Sequence, residues 1–347
     1  MSISDRQKGT KKRKWLKIIL FTFLAAFVFS GSVVAYFAFR VQTVTSHSPE
    51  LVRGTKSELR EEPVQISHDN FSILFLGLDD RDGTLEGRTD ALILATFNAE
   101  QGTVKMVSIP RDSLVEIPGR EKRDKINHAH AYGGLDLAIE TVENMFSIPV
   151  DYYVRLNFTA FVEIIDALGG IEINVPYTFT EQDSQDRQNA ITLYEGWRTL
   201  NGEEALAYAR MRYHDPTGDI GRGERQQEII KATIKKAASI SSVTKYSELL
   251  DSLEDHLTTN ISFTNMLALH KYRNSLGEIE SLKLEGEGIS INGIYYYKLS
   301  EESLESVKQE LRKHLELEKD QENIINEEDK LDQQIHHEQY KKEELVY

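Results

Sequence analysis

Two aspartates and a scattered set of arginines are the residues of this chain best equipped for chemistry. Asp79 stands in Gly77-Leu-Asp-Asp-Arg81, and Asp90 closes Arg88-Thr-Asp90. Arg111 lies in Ser108-Ile-Pro-Arg-Asp112, and Lys125 opens Lys125-Ile-Asn127. Arg210 and Arg212 flank Met211, and Arg222 ends Asp219-Ile-Gly-Arg222, four residues before Gln226. A guanidinium presents a planar fork of donors that matches phosphate oxygens. Paired carboxylates at strand ends suit Mg²⁺, with Mn²⁺ as the nearest substitute. Together these groups predict a site for a di- or poly-anionic phosphate with a metal.

Each residue also has an ordinary reading. Asp79 and Asp80 are good turn formers, Asp90 is a natural arginine partner, and Arg111 can pair with Asp112 at the surface. Asp219 can cap a helix, orient an arginine or accept a proton. From spacing alone the ordinary readings of the aspartates carry more weight. His128 and His130, two apart beside Asn127, can be metal ligands if they lie on a strand, but no third ligand accompanies them in the sequence. No Gly-x-Ser-x-Gly elbow, Walker loop or His-Glu-x-x-His pattern occurs.

The elements that must position these groups are legible from apolar patterning. Ser72–Gly77, Ala91–Phe97 and Val104–Ile109 read as buried strands, the last two joined by a turn at 98–102. Asp79 then follows the first strand and Asp90 starts the second, so both carboxylates reach one sheet end if the strands are neighbours. Arg111 falls just past the third strand. Leu135–Phe146 and Thr159–Leu168 read as helices, and Tyr152–Phe158 and Ile171–Val175 as strands. Asn201 opens a helix toward Arg210, with Glu204 completing a capping box. If the chain extends after Arg210, Arg210 and Arg212 converge. A long helix over 224–238 puts Arg222 and Gln226 on one face near its start, where phosphate is favoured. Residues 246–276 read as helical. Ile279–Leu284 and Ile294–Leu299 read as late strands that could pair as a hairpin. Alternating strands and helices predict a single α/β domain, αβα-like, with a mixed central sheet.

The net charge is −15 over 347 residues. The first 17 residues run against that, with seven Lys/Arg and one Asp. An acidic body is a poor general binder of nucleic acid, so none is expected as a partner. There are no cysteines, which excludes disulfides and thiolate metal sites. Ile18–Phe39 carries no charge and at 1.5 Å per residue would span roughly 33 Å, enough for a bilayer core. The basic run Lys11–Lys14 before it should stay in the cytoplasm. The expected organisation is a cytoplasmic segment (1–17), a transmembrane helix (18–39), a polar stalk (40–69), an extracellular catalytic domain (70–300) and an acidic tail (301–347). The start of that tail patterns as an amphipathic helix through Leu315, and the part beyond Glu318 as solvated chain.

At this point an ordered set of motifs becomes recognisable. Leu76–Arg81, Arg88–Asp90, Ser108–Asp112, Lys125–Gly134, Asp151–Val154, Phe161–Gly170, Leu200–Arg210 and Asp219–Gln227 together resemble the LytR-CpsA-Psr family of cell-wall enzymes over about residues 70–240. The resemblance implies a membrane-anchored phosphotransferase. Such an enzyme moves an anionic glycopolymer (teichoic acid, capsule or similar) from a polyprenyl-pyrophosphate carrier to a hydroxyl of peptidoglycan. By position it implies Asp79 and Asp90 as Mg²⁺ ligands. Arg88, Arg111, Arg210, Arg212, Arg222 and Gln226 would hold the pyrophosphate, with Arg81, Lys125 and Asp219 as further polar members. Arg111, Arg88 and Asp219 are the expected catalytic groups, Asp219 as proton acceptor. Thr89 stands where serine is more usual, and His128 and His130 where small or aromatic residues are common. A lipid chain also needs an apolar pocket, for which Leu137–Phe146 and Phe161–Leu168 are candidates, or else ordinary core. Three other readings compete: a hydrolase using water as acceptor, a non-catalytic lipid-pyrophosphate binder, and a membrane-bound transcription regulator. The last lacks a cytoplasmic helix-turn-helix.

Overall fold

The computed structural model describes residues 54–317 apart from 55, 81–84, 212–218, 238–255, 263–264, 266–267, 270 and 273–278. Ile18–Phe39, Arg81, Arg212 and the chain past 317 therefore lie outside the described residues. Among the described residues no helix is long and apolar enough to cross a membrane.

In chain order the strands are β1 (Phe71–Leu78), β2 (Thr89–Asn98), β3 (Thr103–Ser108), β4 (Leu114–Val115), β5 (Asp124–Lys125), β6 (Tyr152–Asn157) and β7 (Ile171–Val175). They continue with β8 (Phe179–Glu181), β9 (Ile191–Leu193), β10 (Gly196–Leu200), β11 (Leu257–Thr259), β12 (Glu280–Leu282), β13 (Gly286–Ile291) and β14 (Ile294–Leu299). The helices are α1 (His128–Phe146), α2 (Phe158–Ala167), α3 (Gly202–Arg210), α4 (Asp219–Ala237) and α5 (Glu301–His314).

Six strands form a mixed sheet in the order β11-β6-β1-β2-β3-β12. β1 runs antiparallel to β2 and parallel to β6. Successive side chains of a strand face opposite sides, and the sheet is apolar on both. Leu74, Leu76, Leu78, Leu92, Leu94 and Val107 meet Ile139, Val142 and Phe146 of α1 and Val307 and Leu311 of α5. Phe71, Ile73, Ile93, Phe97 and Met106 form the opposite face, with Phe75, Ile230 and Ile234 packed against them. A third cluster joins Ile165, Ile173, Leu200, Tyr208 and Ile229, tying α2, α3 and β7–β10 to α4.

Local chemistry explains these elements. Asn201 caps α3 with the expected reciprocal box, its side chain accepting from the Glu204 amide at 2.9 Å while Glu204 accepts from the Asn201 amide at 2.9 Å. α1 is kinked at Gly133 and Gly134, the latter at φ 63°. Gly202 permits contact between α3 and the Val162 carbonyl of α2 that any side chain would block. Likewise a Cβ on Gly223 would lie 2.5 Å from Ser108 Oγ, so glycine there seats the first turn of α4 on the end of β3.

Three expectations are corrected. Residues 257–259 are strand rather than helix, because β11 completes the edge of β6 and Thr259 Oγ1 donates to the Tyr153 carbonyl at 2.6 Å. The late strands do not pair with each other: β12 joins the central sheet parallel to β3, and β14 forms a hairpin with β13 instead. His128 and His130 lie on a helix, not a strand. The described part of the 40–69 segment packs on the body, where Arg60 grips Asp151 through two bonds of 3.0 and 2.8 Å. α5 is likewise part of the core. His314 at its end is buried and bonds Thr96 and Thr103 at 2.8 and 2.9 Å.

Candidate active site

A cavity of about 580 Å³ opens on the second face of the sheet, between β1 and β2 below and α2, α3 and α4 around it. Its wall has two chemical halves. Phe75, Ile93, Leu156, Phe158, Phe161, Leu206, Ile229 and Ile230 make it apolar, whereas Asp79, Asp90, Arg111, Arg210, Arg222 and Gln226 make the other part charged and polar. Small residues keep the floor low, since Gly77 pairs with Ala91 across the β1–β2 ladder and both line the space.

The charged half is built from five elements. Because β1 and β2 are antiparallel neighbours, Asp79 past the end of one and Asp90 at the start of the other fall at the same sheet end. Arg111, in the turn closed by the Ser113 amide on the Pro110 carbonyl, donates from Nη1 to Asp90 Oδ1 at 2.6 Å. Its Nε is also 3.8 Å from Asp112 Oδ2. Arg222 and Gln226 project from the first turns of α4, Arg222 being only 8% exposed. Arg210 ends α3; its guanidinium lies 5.0 Å from the Phe158 ring centroid and donates to Asp186 Oδ1 at 3.0 Å and the Asp183 carbonyl at 3.2 Å.

The remaining expected residues are placed differently. Lys125 does not line the cavity. Its Nζ donates to Asp112 Oδ1 at 2.6 Å, so it supports the carboxylate behind Arg111. Arg88 is exposed on the approach to β2 and stands outside the cavity wall. Asp219 begins α4 rather than preceding it. Leu137–Phe146 belongs to the closed face of the sheet, so of the two candidate lipid-lining helices only the one holding Phe161 borders the cavity. His128 Nδ1 donates to Asp124 at 2.9 Å and His130 Nδ1 to the Gly87 carbonyl at 2.9 Å. Burial above all, helped by the Arg155 guanidinium, holds the His130 imidazole below its usual pKa.

Several contributors were invisible in the sequence. Glu181, Gln182 and Gln188 reach the wall from the β8–β9 connection. Arg225 is buried and donates from Nε to the Tyr208 carbonyl at 3.1 Å and from Nη2 to the Met211 carbonyl. It thereby satisfies carbonyls left open at the end of α3 and fixes the helix end that carries Arg210. A metal fits only part of the donor set. Asp79 and Asp90 supply two carboxylates, and no group of three or more His, Cys, Asp or Glu able to hold a metal occurs among the described residues. An ion that takes its other ligands from phosphate oxygens and water, as Mg²⁺ does, matches that set.

The LytR_cpsA_psr family model matches residues 34–313. The chain belongs to the LytR-CpsA-Psr family. Among curated members, it is 41% identical over 311 residues to the polyisoprenyl-teichoic acid–peptidoglycan teichoic acid transferase TagU of Bacillus licheniformis, covering 88% of this chain and 98% of that one. It is 39% identical over 316 residues to TagT of Bacillus subtilis, named as the same kind of transferase, covering 89% and 97%. Among solved family structures, TagT bound to LIIa-WTA superposes with a TM-score of 0.66 at 40% identity, covering 77% of this chain and 99% of that one. The family protein YwtF (TagT) with bound octaprenyl pyrophosphate lipid gives a TM-score of 0.61 at 38% identity, covering 77% and 99%.

Proposed function

We propose that this chain is a phosphotransferase that moves a teichoic acid or similar anionic glycopolymer from a polyprenyl-pyrophosphate carrier to peptidoglycan. The observation that carries the reading is the two-part cavity: one wall suits a lipid chain, and it ends in a cluster of arginines that suits a pyrophosphate. The names of the TagU and TagT relatives, and the lipid pyrophosphate bound by YwtF, support the same reading.

In this mechanism the prenyl chain lies against Phe75, Phe158, Phe161 and Ile230, and the pyrophosphate against Arg111, Arg210, Arg222 and Gln226. Fixed donors in a partly dehydrated site stabilise charge without having to reorganise as the reaction proceeds. A peptidoglycan hydroxyl attacks the phosphorus nearer the polymer, forming the new phosphodiester. The bond from that phosphorus to the bridging oxygen breaks, and polyprenyl phosphate leaves with its charge held by the arginines. Phosphoryl transfer demands mainly positioning and electrostatics. Asp219, at the start of α4, is the proposed acceptor of the hydroxyl proton. Asp79 and Asp90 would hold Mg²⁺, which when bound supplies positive charge beside the phosphates. Arg81 and Arg212 remain proposed pyrophosphate ligands, Arg88 stands outside the cavity wall, and Lys125 braces Asp112. The apolar run Ile18–Phe39 with the basic residues before it supports a single-pass anchor, with the amino terminus in the cytoplasm and the catalytic domain outside the cell.

Full-length protein incubated with lipid-linked polymer, Mg²⁺ and peptidoglycan tests this. Covalent polymer–peptidoglycan product is expected; free phosphorylated polymer as the sole product would instead make the enzyme a hydrolase.

A further inference from the structure

A second concavity lies close to Lys125, whose Nζ stands near the ring of Tyr296 in its wall. It is an open groove of about 490 Å³ lined by Arg120, Lys122, Arg123, Asp124, Tyr132 and Tyr296, among others. Arg120, Lys122 and Arg123 gather three cations on one short loop, interleaved with Glu121 and Asp124. The groove is also preorganised. Tyr132 is 45% exposed, yet its hydroxyl donates to Asp124 Oδ2 at 2.6 Å and its ring lies edge-on to His128 at 5.7 Å. The Arg120 guanidinium lies 3.8 Å from the centroid of that ring. Asp124 accepts further bonds from His128 at 2.9 Å and from the Lys125 amide at 2.8 Å. Burial raises the Asp124 pKa, but these hydrogen bonds outweigh it and keep the carboxyl below its ordinary range.

The groove is linked to the phosphate-binding residues. Lys125 lies 5.6 Å from the centroid of Tyr296 and donates to Asp112 at 2.6 Å. Asp112 neighbours Arg111, which holds Asp90. A ligand in the groove would therefore sit beside the elements that carry the reacting phosphate.

We propose that this groove is the acceptor subsite, which binds a glycan strand bearing carboxylates and presents it to the phosphate in the neighbouring cavity. The inference rests on the transferase reading above. Tyrosine rings offer flat, amphipathic faces to sugar rings. Arg120, Lys122 and Arg123 match scattered carboxylates, and Asp124 and Glu121 can accept from sugar hydroxyls.

The test measures initial rates of full-length protein against soluble, uncrosslinked peptidoglycan strands at saturating lipid-linked polymer, and then against the donor at saturating strands. Tyr132→Ala and Arg120→Ala should each raise the KM for strands about tenfold, the scale of a lost recognition contact, and leave donor KM and kcat within about twofold. Tyr132→Phe keeps the ring face and should remain within about threefold of wild type. Both residues are exposed, so unfolding midpoints should match wild type. Unchanged KM for strands in both alanine variants, or a rise in donor KM instead, would overturn the proposal. If wild-type protein forms no covalent product, the transferase reading itself fails; an active wild type with unaffected variants removes this inference alone.

Discussion

The two faces of the central sheet are made by the same strands and serve opposite ends. On one, Leu74, Leu76 and Leu78 of β1 are sealed under α1 and α5 by large aliphatic side chains. On the other, Phe75 and Gly77 alternate with them along the same strand and look onto open space. The difference lies in what the covering helices carry. α1 and α5 bring apolar stripes that reach the sheet. α3 and α4 bring small or aliphatic residues over the apolar half, then Arg210, Arg222 and Gln226 where the strands end. A cavity persists because charged groups that would fill it cannot be buried without a counter-charge. The closed face supplies rigidity, and the open face uses it to hold charges at fixed positions.

That contrast can be broken from either side. The largest effect should come from the closed face: Ile139→Ala, at a fully buried position, should cost about 2–5 kcal/mol in denaturant unfolding and leave turnover per folded molecule near wild type. Lost turnover with unchanged stability would mean that this face also takes part in chemistry. On the open face Arg111→Ala should reverse the pattern. Transfer should fall about 10²–10³-fold, as when one transition-state donor is lost, while the partly exposed Arg111–Asp90 pair costs at most about 1 kcal/mol of stability.

A pH experiment probes the closed face again. Burial first, and then the Lys105 charge, push the His314 pKa down to about 4, while Glu280 and Glu310 pull weakly the other way. Unfolded, the ring titrates near its ordinary 6.5. The folded-state pKa is depressed, so the stabilisation is complete above the unfolded pKa and is lost as pH falls from there toward the folded value. It is on the order of 3 kcal/mol. His314→Gln should flatten that part of the stability–pH curve. The smallest effect concerns the rim. Asp186→Asn removes the partner that competes with phosphate for Arg210, and should lower donor KM by about two- to fivefold, the worth of a partly exposed pair. A raised KM would mean that Asp186 helps to present the arginine.

Much of this is legible in the sequence. β1 and β3 are short apolar runs ended by Gly77 and Pro110, and β2 runs into the turn at 98–102, which sets where Asp79, Asp90 and Arg111 fall on the sheet, and the α3 capping box is local chemistry. What escaped depends on contacts distant in sequence. The β8–β9 connection that supplies Glu181, Gln182 and Gln188 has no periodic signature, and β11 and β12 are three-residue strands recruited by sheet edges. Which of two similar apolar helices would border the cavity was also hidden, because Leu137–Phe146 and Phe161–Leu168 carry the same kind of stripe and only the topology assigns them to opposite faces. Lys125 and Arg111 look equivalent as basic residues, yet one lines the cavity and the other supports it through Asp112.

A single cavity on the open face is proposed to hold both the lipid and its pyrophosphate. A crystal structure of this protein with polyprenyl pyrophosphate tests it most directly. Phosphate oxygens are expected among Arg111, Arg210, Arg222 and Gln226, and the prenyl chain between Phe75, Phe158, Phe161 and Ile230. Phosphates bound away from these arginines, or a lipid chain lying outside that apolar wall, would contradict it.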